Sequence, residues 1–71
     1  MFGYRTAKCA AELEAFSAEQ ERLHGQNFFM RPAYHDEWLA HITELRSRYG
    51  WSTLERAQGF LRREQEREFP L

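Results

Sequence analysis

The sequence is divided into three segments of helical length by two glycines and two prolines, at positions 25, 32, 50 and 70. Glycine readily follows the end of a helix because it adopts left-handed conformations without a steric penalty, and proline suits a first helical turn. Repeats, low-complexity stretches and strand-type alternation are absent from the sequence. The pattern predicts an all-α protein, a small three-helix bundle with helices at about 6–24, 33–49 and 53–67, forming one helical domain over residues 1–71.

The first segment combines strong helix formers with an apolar stripe. Thr6 is the predicted N-cap, and Gly25 is the predicted residue after the last turn. The stripe recurs at intervals of four, three and seven residues, with Gln20 at the skipped position, and consists of Cys9, Leu13, Phe16 and Leu23. Five alanines widen this face, so we expect a neighbouring helix to approach it closely.

The second and third segments have stripes of their own. The apolar stripe of the second segment consists of Tyr34, Trp38, Ile42, Leu45 and Tyr49, and it is broadened by Leu39. The apolar stripe of the third segment consists of Leu54, Ala57 and Leu61, and Phe60 lies beside it. Ser52 or Thr53 is the predicted N-cap of the third helix, and Glu55 would complete a capping box with Ser52. Because no residue from 62 to 68 is apolar, the end of this helix is predicted to be solvated or frayed.

Composition narrows the class of protein. Ten basic and eleven acidic residues give a net charge of −1, without the basic excess typical of proteins that bind phosphate backbones. One cysteine makes no internal disulfide, no run of 18 apolar residues is present, and the N-terminal stretch lacks a secretory h-region. These features predict a cytoplasmic protein without a membrane segment. Aromatics at 15% exceed what one small core easily holds, which leaves a homodimer open.

Catalytic and metal-binding patterns are fragmentary. His35 and His41 are six residues apart and would point about 240° apart on a helix, so both cannot bind one metal ion from that helix. Glu37 and His41 share a face, but two ligands do not make a site. Cys9 lies in line with the apolar stripe, which is typical of an inert core thiol. The sequence therefore predicts a protein that is not an enzyme and that has no catalytic residue, metal or cofactor.

A helix–turn–helix outline around Gly50 suggests one alternative function. Between residues 43 and 63, five arginines and two glutamates give a local charge of 5 − 2 = +3. The candidate nucleic-acid-binding residues are Arg46, Arg48, Arg56, Arg62 and Arg63. DNA-reading helices carry basic and polar residues at their exposed N-terminal positions, whereas this helix begins with Leu54 and Glu55. A small DNA-binding regulator is therefore the alternative hypothesis, not the main one.

The linker between the first two helices carries the main hypothesis. It contains three consecutive large apolar residues followed by arginine, and one helix face cannot account for all of them. Aromatic residues, methionine and arginine are enriched at protein–protein contacts. The candidate partner-binding residues are Phe28, Phe29, Met30, Arg31 and Trp51, with Tyr4 or Phe69 as further contributors. We therefore expect a small protein-binding module, a regulator, adaptor or inhibitor, whose partner is another protein or a second copy of the chain.

Overall fold

A computed structural model describes residues 3–68 as three helices and one short turn. Helix α1 comprises Tyr4–His24, a 3-10 turn comprises Phe28–Met30, α2 comprises Tyr34–Tyr49 and α3 comprises Trp51–Glu68. The described part of the chain contains no strand. The predicted all-α, three-helix fold is confirmed.

The beginning of α1 differs from the prediction. Helical hydrogen bonding starts at Gly3, whose carbonyl accepts from the N–H of Ala7 at 3.0 Å. Thr6 lies in the first turn and is buried rather than serving as the N-cap. The predicted Thr6 cap is therefore wrong, because the N-cap position is taken by Gly3, whose backbone is extended with φ −77° and ψ 162°.

The beginning of α3 also differs, and the reason is the geometry of Gly50. This residue has φ 86° and ψ 158°, a conformation that is essentially confined to glycine, and it reverses the chain in a single step. The N–H of Leu54 donates to the Gly50 carbonyl at 3.1 Å, so α3 starts at Trp51. Ser52 lies inside the first turn, and the predicted capping box with Glu55 is wrong.

The core is small, and half of its buried apolar residues have short side chains. These buried residues are Cys9, Ala10, Leu13, Leu45, Leu54 and Ala57. Cys9 and Ala10 of α1 lie against the same cluster as Ala57 of α3, and this is the closest helix pair, as the alanines of the first segment predict. Large residues such as Trp38, Ile42 and Phe60 pack around this cluster and are only partly buried.

Two predicted stripe residues are not in the core. Leu23 is 54% exposed and Leu39 is 48% exposed. Leu23 lies in the last turn of α1, beyond the reach of the buried cluster. Leu39 is displaced by about 100° around α2 from its neighbour Trp38, which is the residue that contacts the core. The expectation that both leucines are buried is wrong.

The helices meet tightly at one end and separate at the other. At the closed end, where α1 begins, α2 ends and α3 begins, Arg5 reaches the carbonyls of Arg48 and Tyr49. At the open end, where α1 ends, α2 begins and α3 ends, the residues that face each other are only partly buried. Helices α1 and α2 are antiparallel, and they approach each other less closely than either approaches α3. The molecule has the dimensions of a slab, 35 × 34 × 16 Å.

Candidate functional site

The candidate site lies at the open end, on the 3-10 turn Phe28–Met30. Three backbone hydrogen bonds fix this turn, from the N–H of Phe28 to Gly25 at 3.2 Å, of Met30 to Asn27 at 3.0 Å, and of Arg31 to Phe28 at 3.2 Å. The segment between α1 and α2 is therefore an ordered element and not a free loop.

Arg31 anchors the turn to both neighbouring helices. Its Nη1 donates to Gln20 Oε1 on α1 and to Glu37 Oε1 on α2, each at 3.1 Å, and its Nη2 donates to Glu37 Oε2 at 3.2 Å. The hydrogen bonds from Arg31 hold the pKa of Glu37 below its usual range. Because these donors are engaged inside the molecule, Arg31 positions the turn.

The three apolar residues of the turn have different environments. Phe29 is 58% exposed and Met30 is 70% exposed, whereas Phe28 is half-buried. The ring of Phe28 makes edge-on contacts with Phe29 at 5.8 Å and with Tyr34 at 5.4 Å between centroids. Phe28 thus packs against its neighbours at the open end of the bundle, whereas Phe29 and Met30 point outward from the anchored turn.

A groove of about 890 Å³ runs beside this turn, between the second halves of α1 and α3. Its floor is apolar, and its rims are charged. The floor residues include Leu13, Phe28, Trp38 and Leu61, and the charged rim residues are Glu14, Glu21, Arg62 and Glu64. Trp38 and Leu61 are assigned to helix stripes by the sequence, but nothing in the spacing indicates that α1 and α3 separate over them.

Trp51 does not join the Phe28–Met30 surface. It follows the end of α2, and the 16 residues of that helix separate its two ends by about 24 Å. Trp51 is 56% exposed and lies under the guanidinium of Arg46, with the Arg46 Cζ 5.2 Å from the ring centroid. Tyr4, 80% exposed, also belongs to the closed end. Phe69, the other suggested contributor, lies outside the described residues.

The five arginines of the nucleic-acid hypothesis are dispersed over four places. Arg46 covers Trp51, and Arg48 forms ion pairs with Glu12 at 2.8 Å and Glu44 at 3.7 Å. Arg56 and Arg63 line a separate groove of about 550 Å³ between the start of α1 and α3, together with Glu55. Arg62 lines the groove at the open end. The structure therefore brings together only Arg56 with Arg63.

A polar network at the closed end was not foreseen from the sequence. Glu12 accepts hydrogen bonds from the Tyr49 hydroxyl and from Arg48, and these hold the pKa of Glu12 below its ordinary value. The same contact with Glu12 raises the pKa of Tyr49. The partners are 36 and 37 positions apart, so no local pattern signals the contact.

The thiol and imidazole groups lie apart from the candidate site. Cys9 is fully buried, and this burial raises the pKa of its thiol, so the sulfur stays protonated at neutral pH. His41 stacks on Phe16 at 4.5 Å between centroids, and its Nε2 is buried without a hydrogen-bond partner. Residues 3–68 contain no group of three or more histidine, cysteine, aspartate or glutamate side chains placed to hold a metal ion.

In comparisons with known proteins, the chain matches no family model, no curated protein and no solved structure. Within residues 3–68, no helix combines the length and the apolar character needed to cross a membrane.

Proposed function

We propose that this chain is a small protein-binding module of the cytoplasm, acting by binding rather than by catalysis, as a regulator, adaptor or inhibitor of a larger protein. The observation that carries the proposal is the outward position of Phe29 and Met30 on an anchored turn. Side chains that are already held in place lose less conformational freedom on binding, which favours affinity. Exposed apolar patches on small proteins commonly mark partner sites.

The contacts of Arg31 add to this support. Its three hydrogen bonds to Gln20 and Glu37 fix the base of the turn without using either exposed side chain. The proposed contact surface is therefore narrower than the sequence predicts. It consists of Phe29 and Met30, with Phe28 and Arg31 as supports, and Trp51 is assigned to a different part of the molecule.

The test is capture of partners from a lysate of the source organism on the immobilised protein, with mass spectrometry of what is retained. The double change Phe29→Ala with Met30→Ala should weaken capture by at least about fivefold, since an anchor residue contributes about 1 kcal/mol or more. Trp51→Ala is the matched control, an exposed aromatic at the other end, and should leave capture unchanged. Equal capture by the double variant and the parent protein would refute the proposal.

The alternative, a small DNA-binding regulator, has weaker support because its arginines are dispersed and two of them are engaged within the fold. Salt-dependent retention on a DNA column distinguishes the two functions. The double change Arg62→Glu with Arg63→Glu should abolish retention if DNA is the ligand. The protein-binding proposal expects no DNA retention at physiological salt from the parent protein.

A further inference from the structure

The groove at the open end is continuous with the outward-facing turn, because Phe28 belongs to both. Phe28 lines the groove and also makes the edge-on contact with the exposed Phe29. Phe28, Trp38 and Leu61 are each only half-buried, although they lie on the inner side of the bundle. The floor of the groove is thus an apolar surface that the three helices leave partly uncovered.

The α1 side of the groove leaves room for an added element. Its wall includes Ser17 and Ala18, whose side chains are short. The groove has a volume of about 890 Å³. This space is enough for several side chains of a binding partner.

The two rims differ in charge. Glu14 and Glu21 on α1 are seven residues apart, which places them two turns apart on one face, and neither forms an ion pair within the described chain. On α3, Glu64 pairs with Arg67 at 3.6 Å, while Arg62 forms no ion pair within residues 3–68. The α1 rim therefore offers two unpaired carboxylates, and the α3 rim offers one unpaired guanidinium.

We infer that this groove binds one amphipathic helix of the partner protein, with apolar side chains on Phe28, Trp38 and Leu61 and with basic residues two turns apart facing Glu14 and Glu21. An amphipathic helix in a groove uses apolar anchors at positions i, i+3 or i+4, and i+7, which suits an elongated apolar floor. The inference rests on the proposed protein-binding function and names the class of partner.

A second copy of this chain does not supply such a helix from its described residues. The large apolar side chains exposed there are Tyr4, Leu23, Phe29, Met30, Leu39 and Trp51. On α1 they stand at opposite ends, and α2 and α3 each carry one. No helix within residues 3–68 therefore offers three outward apolar residues at helical spacing, which favours another protein as the source of the bound helix.

The probe for this inference is an 18-residue peptide with leucines at positions i, i+3, i+4 and i+7 and with lysines along the flanks. A second peptide replaces the lysines with glutamates. The protein carries Trp51→Phe, so that Trp38 on the groove floor is the remaining tryptophan. The lysine peptide should bind and shift the Trp38 emission to the blue, and the glutamate peptide should bind about tenfold more weakly because it faces Glu14 and Glu21.

A charge exchange locates the binding. In the Trp51→Phe background, Glu14→Lys with Glu21→Lys should reverse the preference, weakening the lysine peptide about tenfold and strengthening the glutamate peptide. The matched control, Glu55→Lys with Glu66→Lys, makes the same change in net charge at exposed positions outside the groove. Thermal melts of each variant check that it is folded. An equal reversal in the control, or no change in Trp38 emission with either peptide, would show the inference to be wrong.

Capture of the natural partner separates this inference from the proposed function. If Phe29→Ala with Met30→Ala loses the partner while Glu14→Lys with Glu21→Lys retains it, the groove is not the binding site and the protein-binding function stands. If both double variants lose it, both conclusions are supported. If Phe29→Ala with Met30→Ala retains the partner, the proposed function fails at the turn on which it rests.

Discussion

The two ends of this molecule differ in how completely their apolar side chains are buried. At the closed end, leucines, alanines and one cysteine are buried. Hydrogen bonds there join α1 to the end of α2, and they involve Arg5, Glu12, Arg48 and Tyr49. At the open end, the aromatic rings of Phe28 and Trp38 and the side chain of Leu61 remain half-buried beside a groove. Ala10 and Ala57 let α1 and α3 approach each other at the closed end, whereas the two aromatic rings keep apolar surface accessible at the open end.

Under the proposed function, the closed end provides most of the stability and the open end provides the binding surface. A chain of 71 residues is expected to have a free energy of unfolding of only about 4 to 10 kcal/mol. Concentrating full burial at the closed end leaves the open end free to expose apolar surface. The comparison can be tested by matched changes at the two ends.

The largest effect is expected in the core of the closed end. Leu54 and Leu61 lie seven residues apart on one face of α3, the first fully buried and the second half-buried. Leu54→Ala should lower the free energy of unfolding by about 3 kcal/mol, and Leu61→Ala by about 1 kcal/mol, because the second removes less buried surface. Guanidinium denaturation followed by circular dichroism gives both values. Similar losses at the two positions would remove the distinction between the ends.

The next effect concerns the two glycines with positive φ. Gly50→Ala should destabilise the protein by about 2 kcal/mol, because its conformation is nearly confined to glycine and the adjoining helices leave no residue to absorb a change. Gly25→Ala, with φ 83°, should cost less, since residues 25–33 give the chain room to adjust. Thermal denaturation of the two variants measures both losses of stability.

Gly59→Ala provides a control of opposite sign for this pair. Gly59 lies inside α3, and a Cβ there would meet no atom within 4 Å. We expect a gain of about 1 kcal/mol from the higher helix propensity of alanine. A larger loss at Gly25 than at Gly50 would contradict the idea that the closed end is the more constrained.

A smaller effect depends on pH. The Glu12 pKa is lowered in the folded protein, chiefly by the Tyr49 hydroxyl, so its contribution to stability is present above the ordinary pKa and is lost as pH falls through the folded value. Glu12→Gln should cost about 1 kcal/mol at pH 7 and less as the pH falls below the ordinary carboxyl pKa, for example at pH 3. Glu14→Gln, two residues away and without an ion pair in the described chain, should cost little at either pH. Urea titrations at the two pH values decide the matter, and a pH-independent loss from Glu12→Gln would count against the role of this network.

The smallest effect is expected on the exposed turn. Phe29→Ala should change the free energy of unfolding by less than about 0.5 kcal/mol, because most of its ring is already in water. Phe28→Ala, its neighbour, should cost more, since Phe28 packs on Tyr34. Melting temperatures of the two variants report the difference. Equal losses would mean that both rings stabilise the fold, and the proposed binding surface would lose its main residue.

Much of this architecture was predictable from local signals. Gly25 and Gly50 end helices as their conformational freedom predicts, and the central stripe residues Leu13, Leu45 and Leu54 are buried. The helix starts were predicted less well, because Ser52 and Thr6 resemble caps while glycine conformations determine where α1 and α3 begin. Periodicity identifies a face, but it does not show how far along that face another helix extends.

The candidate site was predictable only in part. The run Phe28–Met30 indicates a surface by its position between helices, although spacing does not show which ring points outward. The grouping of Trp51 with that run came from composition alone, and the length of α2 separates them. The groove lies between residues of α1 and α3 that are about 45 positions apart in the sequence. No local pattern carries that information.

The single-residue connection at Gly50 also has a consequence for the order of folding. α2 and α3 are adjacent in the chain and can associate after closing almost no loop, whereas α1 makes hydrogen bonds to residues 36 to 44 positions away. We therefore expect the α2–α3 hairpin to form first and α1 to dock last. During synthesis, α1 is made before α2 and α3. It therefore remains without the helices on which it packs while about 50 more residues are added, which takes several seconds at typical rates of elongation.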